Sequence, residues 1–123
     1  MIVTHLEPPY FAVIFTTLLS NNQTDYQSTA MRMKELAEQQ EGYLGMESAK
    51  GDLGITVSYW KDLSSITNWK HHLEHSEART RGKQQWYSQY QLRICKVRCV
   101  LVCKIIYPCN IIQRRITLSY EKC

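Results

Sequence analysis

The chain has 123 residues, 44% of them hydrophobic and 21% charged, with a formal charge of +4. That length suits one modest domain, because dividing it would leave neither half a well-buried core, and no apolar run approaches the ~20 residues that span a bilayer, so the composition reads as soluble and ordered. The positive charge is local: residues 1–90 hold eight Lys and Arg against ten Asp and Glu, whereas residues 91–123 hold seven against Glu121 alone, which marks a basic end and argues against a nucleic-acid-binding face.

The first ten residues lack the basic-then-apolar pattern of a secretory leader, so the cytoplasm is the expected compartment. Pro8-Pro9 removes two backbone donors and favours an extended arm over residues 1–10. Phe11 to Leu19 is rich in β-branched and aromatic residues and ends in the polar run Ser20-Asn21-Asn22-Gln23. It reads as a strand apolar on both faces, with Phe11, Val13 and Phe15 on one and Ala12, Ile14 and Leu18 on the other. Thr24-Asp25-Tyr26-Gln27 fits a capping box, so a helix is expected to begin there. Tyr26, Ala30, Met33, Leu36 and Ala37 form its apolar stripe through Gln40, and Gly42 supplies the stop.

Tyr43–Lys50 and Ile55–Lys61 are strand-like runs separated by Gly51-Asp52-Leu53-Gly54, which predicts an antiparallel hairpin. Asp62 or Ser64 can cap a second helix carrying the stripe Ile66, Trp69 and Leu73. His75 to Tyr87 is polar and contains Gly82, which predicts a break or a short further helix. A final strand is expected from about Tyr90, with a possible extension to Ile106.

The order β-α-β-β-α-β gives an α+β class, the ferredoxin-like split βαβ arrangement with an antiparallel sheet. Two helices cover only one face of four strands, and the first strand is apolar on both. The bare face therefore predicts a homodimer with the two sheets packed together, and no membrane partner. The five cysteines, Cys95, Cys99, Cys103, Cys109 and Cys123, are odd in number, contain no CxxC pair and lack a secretory context, so free thiols are expected.

The residues resemble a known family. Phe11-Ala12-Val13-Ile14-Phe15, then Met33, Leu36-Ala37, Gln40, Gly42-Tyr43-Leu44-Gly45 and Glu47-Ser48, then Gly54 to Trp60, are similar to the antibiotic biosynthesis monooxygenase domain family of the dimeric α/β-barrel superfamily. The likeness continues through Leu63, Ile66, Trp69-Lys70, Glu74-His75, Ala78, Gly82, Trp86-Tyr87, Tyr90 and Arg93-Ile94, and covers roughly residues 10–98. It implies a dimeric ferredoxin-like barrel with a small cavity between each sheet and its helices, hosting cofactor-free oxygenases, haem degraders or proteins of unassigned activity; the fold alone does not choose among them.

The haem-degrading branch pairs an Asn on the first strand with a Trp on the second helix and a His some ten residues later. Trp69 matches, but Phe15 or Thr16 stands in place of the Asn and Arg79 where the His would be, and an axial haem ligand tolerates little displacement.

A cofactor-free oxygenase must overcome the spin barrier between triplet oxygen and a closed-shell substrate, and an electron-rich anion does so. His75 is the candidate catalytic base, since an imidazole accepts a proton near neutrality. Trp60, Trp69, Trp86 and Tyr90 can supply flat walls for a small aromatic or hydrophobic ligand, with Arg79 or Arg93 steadying the anion. The competing structural roles are core packing for the tryptophans, helix-end solvation for His75, and an Arg93–Glu47 cross-strand pair. His71-His72-Leu73-Glu74-His75 matches H-x-x-E-H formally, but only Glu121 remains downstream as a third ligand, so no metal is expected. Nor do the glycines form a nucleotide loop, and no cofactor is expected.

The expected function is a cofactor-independent monooxygenase of a phenolic or quinol-like compound. The alternatives are a non-catalytic dimer binding a small hydrophobic ligand, and a haem-degrading monooxygenase. Residues 99–123 depart from the family pattern as a cysteine-rich basic tail, compatible either with a shifted reading frame or with an arm reaching a partner subunit.

Overall fold

The computed structural model describes residues 2–101, 103–104 and 117–118. Strands β1 (Tyr10–Leu19), β2 (Tyr43–Ala49), β3 (Gly54–Trp60) and β4 (Tyr87–Val97) form one antiparallel sheet in the order β2-β3-β1-β4. Helix α1 (Tyr26–Glu38) joins β1 to β2, and helices α2 (Leu63–His71) and α3 (Leu73–Arg81) with a π-turn at Gly82–Trp86 join β3 to β4. This is the expected ferredoxin-like α+β arrangement. The apolar β1 lies in the middle, where both its edges find ladder partners.

Alternation along the strands divides the sheet into two faces. Phe11, Val13, Phe15 and Thr17 point to the helices, as the contact of Phe15 with Tyr87 and of Tyr87 with Tyr26 of α1 shows. Tyr10, Ala12 and Ile14 point the other way, beside Tyr59 and Val57 of β3. The opening arm runs across this second face. The Val3 amide donates to Glu47 Oε2 at 3.2 Å, and the Val3 side chain lies against Gly45, where a Cβ would have no room. Tyr59 Oη donates to the same carboxylate.

Helix α1 starts later than its sequence suggests. Asp25 adopts a left-handed conformation (φ 60°) at the N-cap and makes no side-chain cap, so the capping box does not form. Tertiary contacts prevail: the Trp86 indole donates to the Thr24 carbonyl at 2.8 Å, and Tyr26 packs on Trp86 with ring centroids 5.6 Å apart. By contrast, Asp62 caps α2 as expected, its Oδ1 accepting from Ser65 N at 2.8 Å and Ser65 Oγ at 2.7 Å. Those contacts hold its carboxyl below the usual carboxylate range.

The second helical segment breaks at His72 (φ −58°, ψ 130°), three residues before the stretch where the sequence suggested a break. Leu73 consequently lies 73% exposed and leaves the stripe of Ile66 and Trp69. The carbonyls at the end of α2 are satisfied across the break, by His72 N and His75 Nδ1 on Trp69 O, and by Ser76 Oγ and Arg79 Nη1 on Lys70 O. Side chains of α3 thus supply what a helix end lacks.

β4 begins at Tyr87, three residues earlier than expected, and ends at Val97, short of the suggested extension to Ile106. Val97 pairs with Tyr10, the first residue of β1, and the preceding Pro8-Pro9 offers no amide for a longer ladder. Cys103–Lys104 instead pairs with Thr117–Leu118 as β5 and β6, a separate two-stranded ladder. Cys95 is a free thiol, but Cys99 is disulfide-bonded, which corrects the expectation of free thiols throughout. Most of residues 99–123 lies outside the described residues.

Gly42 holds φ +82°, and a Cβ there would collide with Ser65 Oγ. Gly42→Ala is expected to destabilise the fold by on the order of 1–3 kcal/mol, read by urea denaturation. In the same assay Asp62→Ala should lower the midpoint, while Thr24→Ala, which removes no cap, should leave it in place.

Candidate functional site

The helix-side face of the sheet carries two aromatic clusters. At one end Trp60, the last residue of β3, is fully buried and donates from Nε1 to Ser58 Oγ at 2.9 Å. Trp69 of α2 stacks on it at 6.4 Å with 25° between planes, and His75 of α3 stacks on Trp69 at 4.2 Å and 8°. Tyr43 meets Trp60 edge-on at 5.5 Å, and His72 leans on Trp69 at 5.4 Å. The pile of rings ties helix break, helix and strand together.

His75 Nδ1 lies 2.9 Å from Trp69 O. A carbonyl only accepts, so Nδ1 carries the hydrogen, and in the neutral ring Nε2 holds the lone pair. Burial lowers the pKa of His75, and the charges of Arg79 and His72 add to that effect, while the bond to the Trp69 carbonyl opposes it. The ring is therefore neutral near pH 7. It has the tautomer and charge that a proton acceptor needs.

The second cluster gathers Phe15, Tyr26, Trp86, Tyr87 and Tyr90. Tyr87 touches Phe15 at 5.4 Å and Tyr26 at 5.9 Å, and Tyr90 lies 6.0 Å from Phe15. Burial beside Tyr26 pushes the Tyr87 hydroxyl well above its ordinary pKa. Arg81 sits 4.8 Å over the Trp86 ring and pairs with Asp25 at 3.4 Å, a cation–π lock on the π-turn. Tyr90 pairs with Thr17 and Trp60 with Phe11. Those β1 positions are six residues apart, about 20 Å along the strand.

The candidate residues therefore divide. Trp60, Trp69 and His75 come together, with Arg79 close enough for its charge to reach His75 although its guanidinium is bonded to Lys70 O. Trp86 and Tyr90 belong to the other cluster. Between them the helix-side face of β4 presents Leu92 (51% exposed) and Ile94 (49%), opposite Phe15 and Val13. Arg93 points to the opposite face and donates to Gln91 at 2.6 Å. Its proposed partner Glu47 lies on β2, at the far edge of the sheet, so an Arg93–Glu47 pair is excluded by strand order.

The break at His72 also places His71 and His75 on different helices, which removes the one-turn spacing that H-x-x-E-H requires. Among the described residues no three His, Cys, Asp or Glu side chains are grouped to hold a metal ion. Met33 lines an open groove of about 330 Å³ between α1 and α3 with Ser28, Arg32, Glu74 and Arg81. Arg32 closes one side of it by a two-pronged bond to Glu74 at 3.1 and 3.2 Å, which lowers the pKa of that carboxyl. Sequence reasoning overlooked His72 as a member of the ring pile, since neither Gly nor Pro marks the break that turns it inward. Tyr26 belongs to the expected helix stripe and Tyr87 closes the polar run from His75, and no local signal joins them.

The sheet order and helix placement are the ferredoxin-like arrangement of several solved structures. SnoaB, a cofactor-independent oxygenase from Streptomyces nogalater, superposes with a TM-score of 0.64 and 8% identity over 76% of this chain and 97% of its own. A conserved protein from Methanosarcina mazei Go1 gives 0.63 and 11% identity over 71% and 91%. No family model matches the sequence. The chain belongs to the family of YqjZ of Bacillus subtilis (strain 168), an uncharacterized protein with which it is 48% identical over 93 residues, 74% of this chain and 82% of that protein. No helix among the described residues is long and apolar enough to cross a membrane.

The depressed pKa of His75 sets a measurable signature. Its imidazole should titrate below the ordinary value of 6.5 in NMR spectra. Because the folded pKa is lowered, the stability gained by keeping the ring neutral is complete above about pH 6.5 and is lost as pH falls through the folded value. His75→Phe should flatten that acid decline in a thermal-unfolding series.

Proposed function

We propose that the protein is a cofactor-independent monooxygenase of a small phenolic or quinol-like compound, with His75 as the base. The observation that carries this reading is the His75 ring itself, neutral, stacked on Trp69, and tied through Nδ1 to the Trp69 carbonyl so that Nε2 is left as the acceptor. The likeness of fold to SnoaB supports the reaction class.

In this reading a hydroquinone enters over the apolar surface beside Trp69, with Leu92 and Ile94 as further wall. Nε2 takes one phenolic proton. The anion passes an electron to dioxygen, the resulting radicals combine at a ring carbon, and the hydroperoxide loses water. Hydroquinone and dioxygen thus become a hydroxyquinone and water: one oxygen atom stays on the ring, and the other leaves with two of the substrate's hydrogens. The apolar surroundings raise the energy of the anion and so its tendency to give up an electron. Arg79 stabilises it at a distance.

The same reading includes a homodimer. The helix-free face presents Ile55 (37% exposed) beside Val57 and Ile14, and the arm meets that face through Val3 at Gly45 and Glu47. A second copy of that face would bury the remainder. Sedimentation at micromolar concentration should show a species of twice the chain mass, and a well-folded single chain would refute the dimer.

Oxygen uptake with a panel of hydroquinones tests the activity. His75→Ala should lower kcat by about 10²-fold or more, the usual range for loss of a general base. The pH profile should show its acid limb below 6.5, since the essential form is the neutral ring. Uptake unchanged by the substitution would dismiss His75. Binding without any uptake by the wild type would favour the ligand-binding protein.

A further inference from the structure

We infer that the helix-free face packs on the same face of a second copy about a two-fold axis running along the strands, so that Arg93 of each copy meets Glu47 of the other. This pairing rests on the homodimer reading above and deepens it, because it fixes the orientation of the two sheets and names the contacts that select a second copy.

The register of the sheet makes this face self-complementary. Glu47 stands beside Val57, Val57 beside Ile14, and Ile14 beside Arg93. These four residues form one row across all four strands, and alternation puts the whole row on the helix-free face. It reads acidic, apolar, apolar, basic. Half a turn about an axis parallel to the strands, midway between β3 and β1, exchanges the two ends of the row and leaves its height along the strands unchanged. Each charge then faces its opposite, and Val57 faces Ile14 at the centre. Half a turn about the axis along the row would instead set Arg93 on Arg93 and Glu47 on Glu47, an arrangement that like-charge repulsion disfavours. The rows on either side fit in the same sense. Tyr59 stands beside Ala12 and Ile55 beside Thr16, so the first operation lays a large side chain over a small one in each, as interdigitating sheets require.

Neither charge is answered by an opposite charge within the chain. Arg93 is exposed, and its Nη2 donates to the neutral side-chain amide of Gln91. Glu47 is half-buried and accepts only neutral donors, the Val3 amide on Oε2 and the Tyr59 hydroxyl on Oε1. The ion pairs among the described residues involve neither of them. Both keep bonding capacity, since each carboxylate oxygen can accept a second hydrogen bond and a guanidinium carries several donors. Within one subunit their strands lie three spacings apart, about 14 Å, whereas facing sheets pack about 10 Å apart, a gap that the two side chains span between them.

The test uses the full chain, with dimer dissociation constants from sedimentation. Arg93→Glu should raise the constant by about 10²-fold, roughly tenfold for each of two symmetric pairs, and Arg93→Gln by less, since it removes attraction without adding repulsion. Glu47→Lys should likewise yield mostly single chains. Mixing the Arg93→Glu chain with the Glu47→Lys chain should restore the dimer as a one-to-one hybrid, visible by native mass spectrometry, because both facing pairs in the hybrid join opposite charges. A contact within one chain, or a weakened fold, gives no such rescue. A dimer whose constant is unmoved by Arg93→Glu, or two folded variants that do not combine on mixing, would overturn the pairing and leave the homodimer standing. A wild type that sediments as a single chain would overturn both. Should Glu47→Lys fail to fold, having lost the acceptor for Val3 and Tyr59, the constants of Arg93→Glu and Arg93→Gln against the wild type decide the matter.

Discussion

The seating of Trp69 on Trp60 is the contact on which the rest of this structure depends. Trp60 ends β3 with no exposed surface, and Trp69 of α2 stacks on it. Two stacked indoles bury a large flat area at the point where sheet passes into helix, and so fix the placement of the helix on the sheet. With α2 pinned there, its last carbonyls point at the start of α3, and His75, Ser76 and Arg79 are recruited to satisfy them. The orientation of the candidate base is thus a by-product of ending a helix. Its tautomer follows from helix hydrogen bonding rather than from a dedicated carboxylate partner.

The two faces of the sheet serve different ends. The helix side collects aromatic and imidazole rings in two groups, around Trp60 and around Tyr87, with the exposed apolar surface of β4 between them. The other face holds the Glu47 carboxylate, which receives the Val3 amide and the Tyr59 hydroxyl; burial and this carboxylate together raise the pKa of Tyr59 to about 12. That carboxylate fastens the arm to β2 and β3.

Much of the fold was legible in the chain. The apolar, β-branched run of Phe11–Leu19 reads as a strand apolar on both faces, the glycine-bounded Gly51–Gly54 segment reads as a tight connection, and Asp62 three residues before Ser65 caps a helix in the manner its chemistry allows. The candidate site was legible only in part. Trp60, Trp69 and His75 were each visible as residues suited to a pocket, but Trp86 and Tyr90, which look equivalent in sequence, fall in the other cluster. Their separation follows from position along β1, to which no local pattern refers. Thr24 and Gln27 match a capping motif and do not form it; the Thr24 amide that Gln27 would receive donates to Asn22 Oδ1, and the Trp86 indole, 62 residues away, holds the Thr24 carbonyl.

By itself, then, the sequence determined the class of fold, the order of strands and helices, and the residue types available for chemistry, because these depend on periodicity, capping chemistry and turn composition, all of which act over a few neighbouring residues. Only the tertiary structure decided that the helix breaks at His72, that Nδ1 of His75 is spoken for, and that Arg93 faces away from the site. Those outcomes depend on which carbonyls remain unsatisfied and which rings find each other once the sheet and helices pack, and such long-range pairings leave no mark on local sequence.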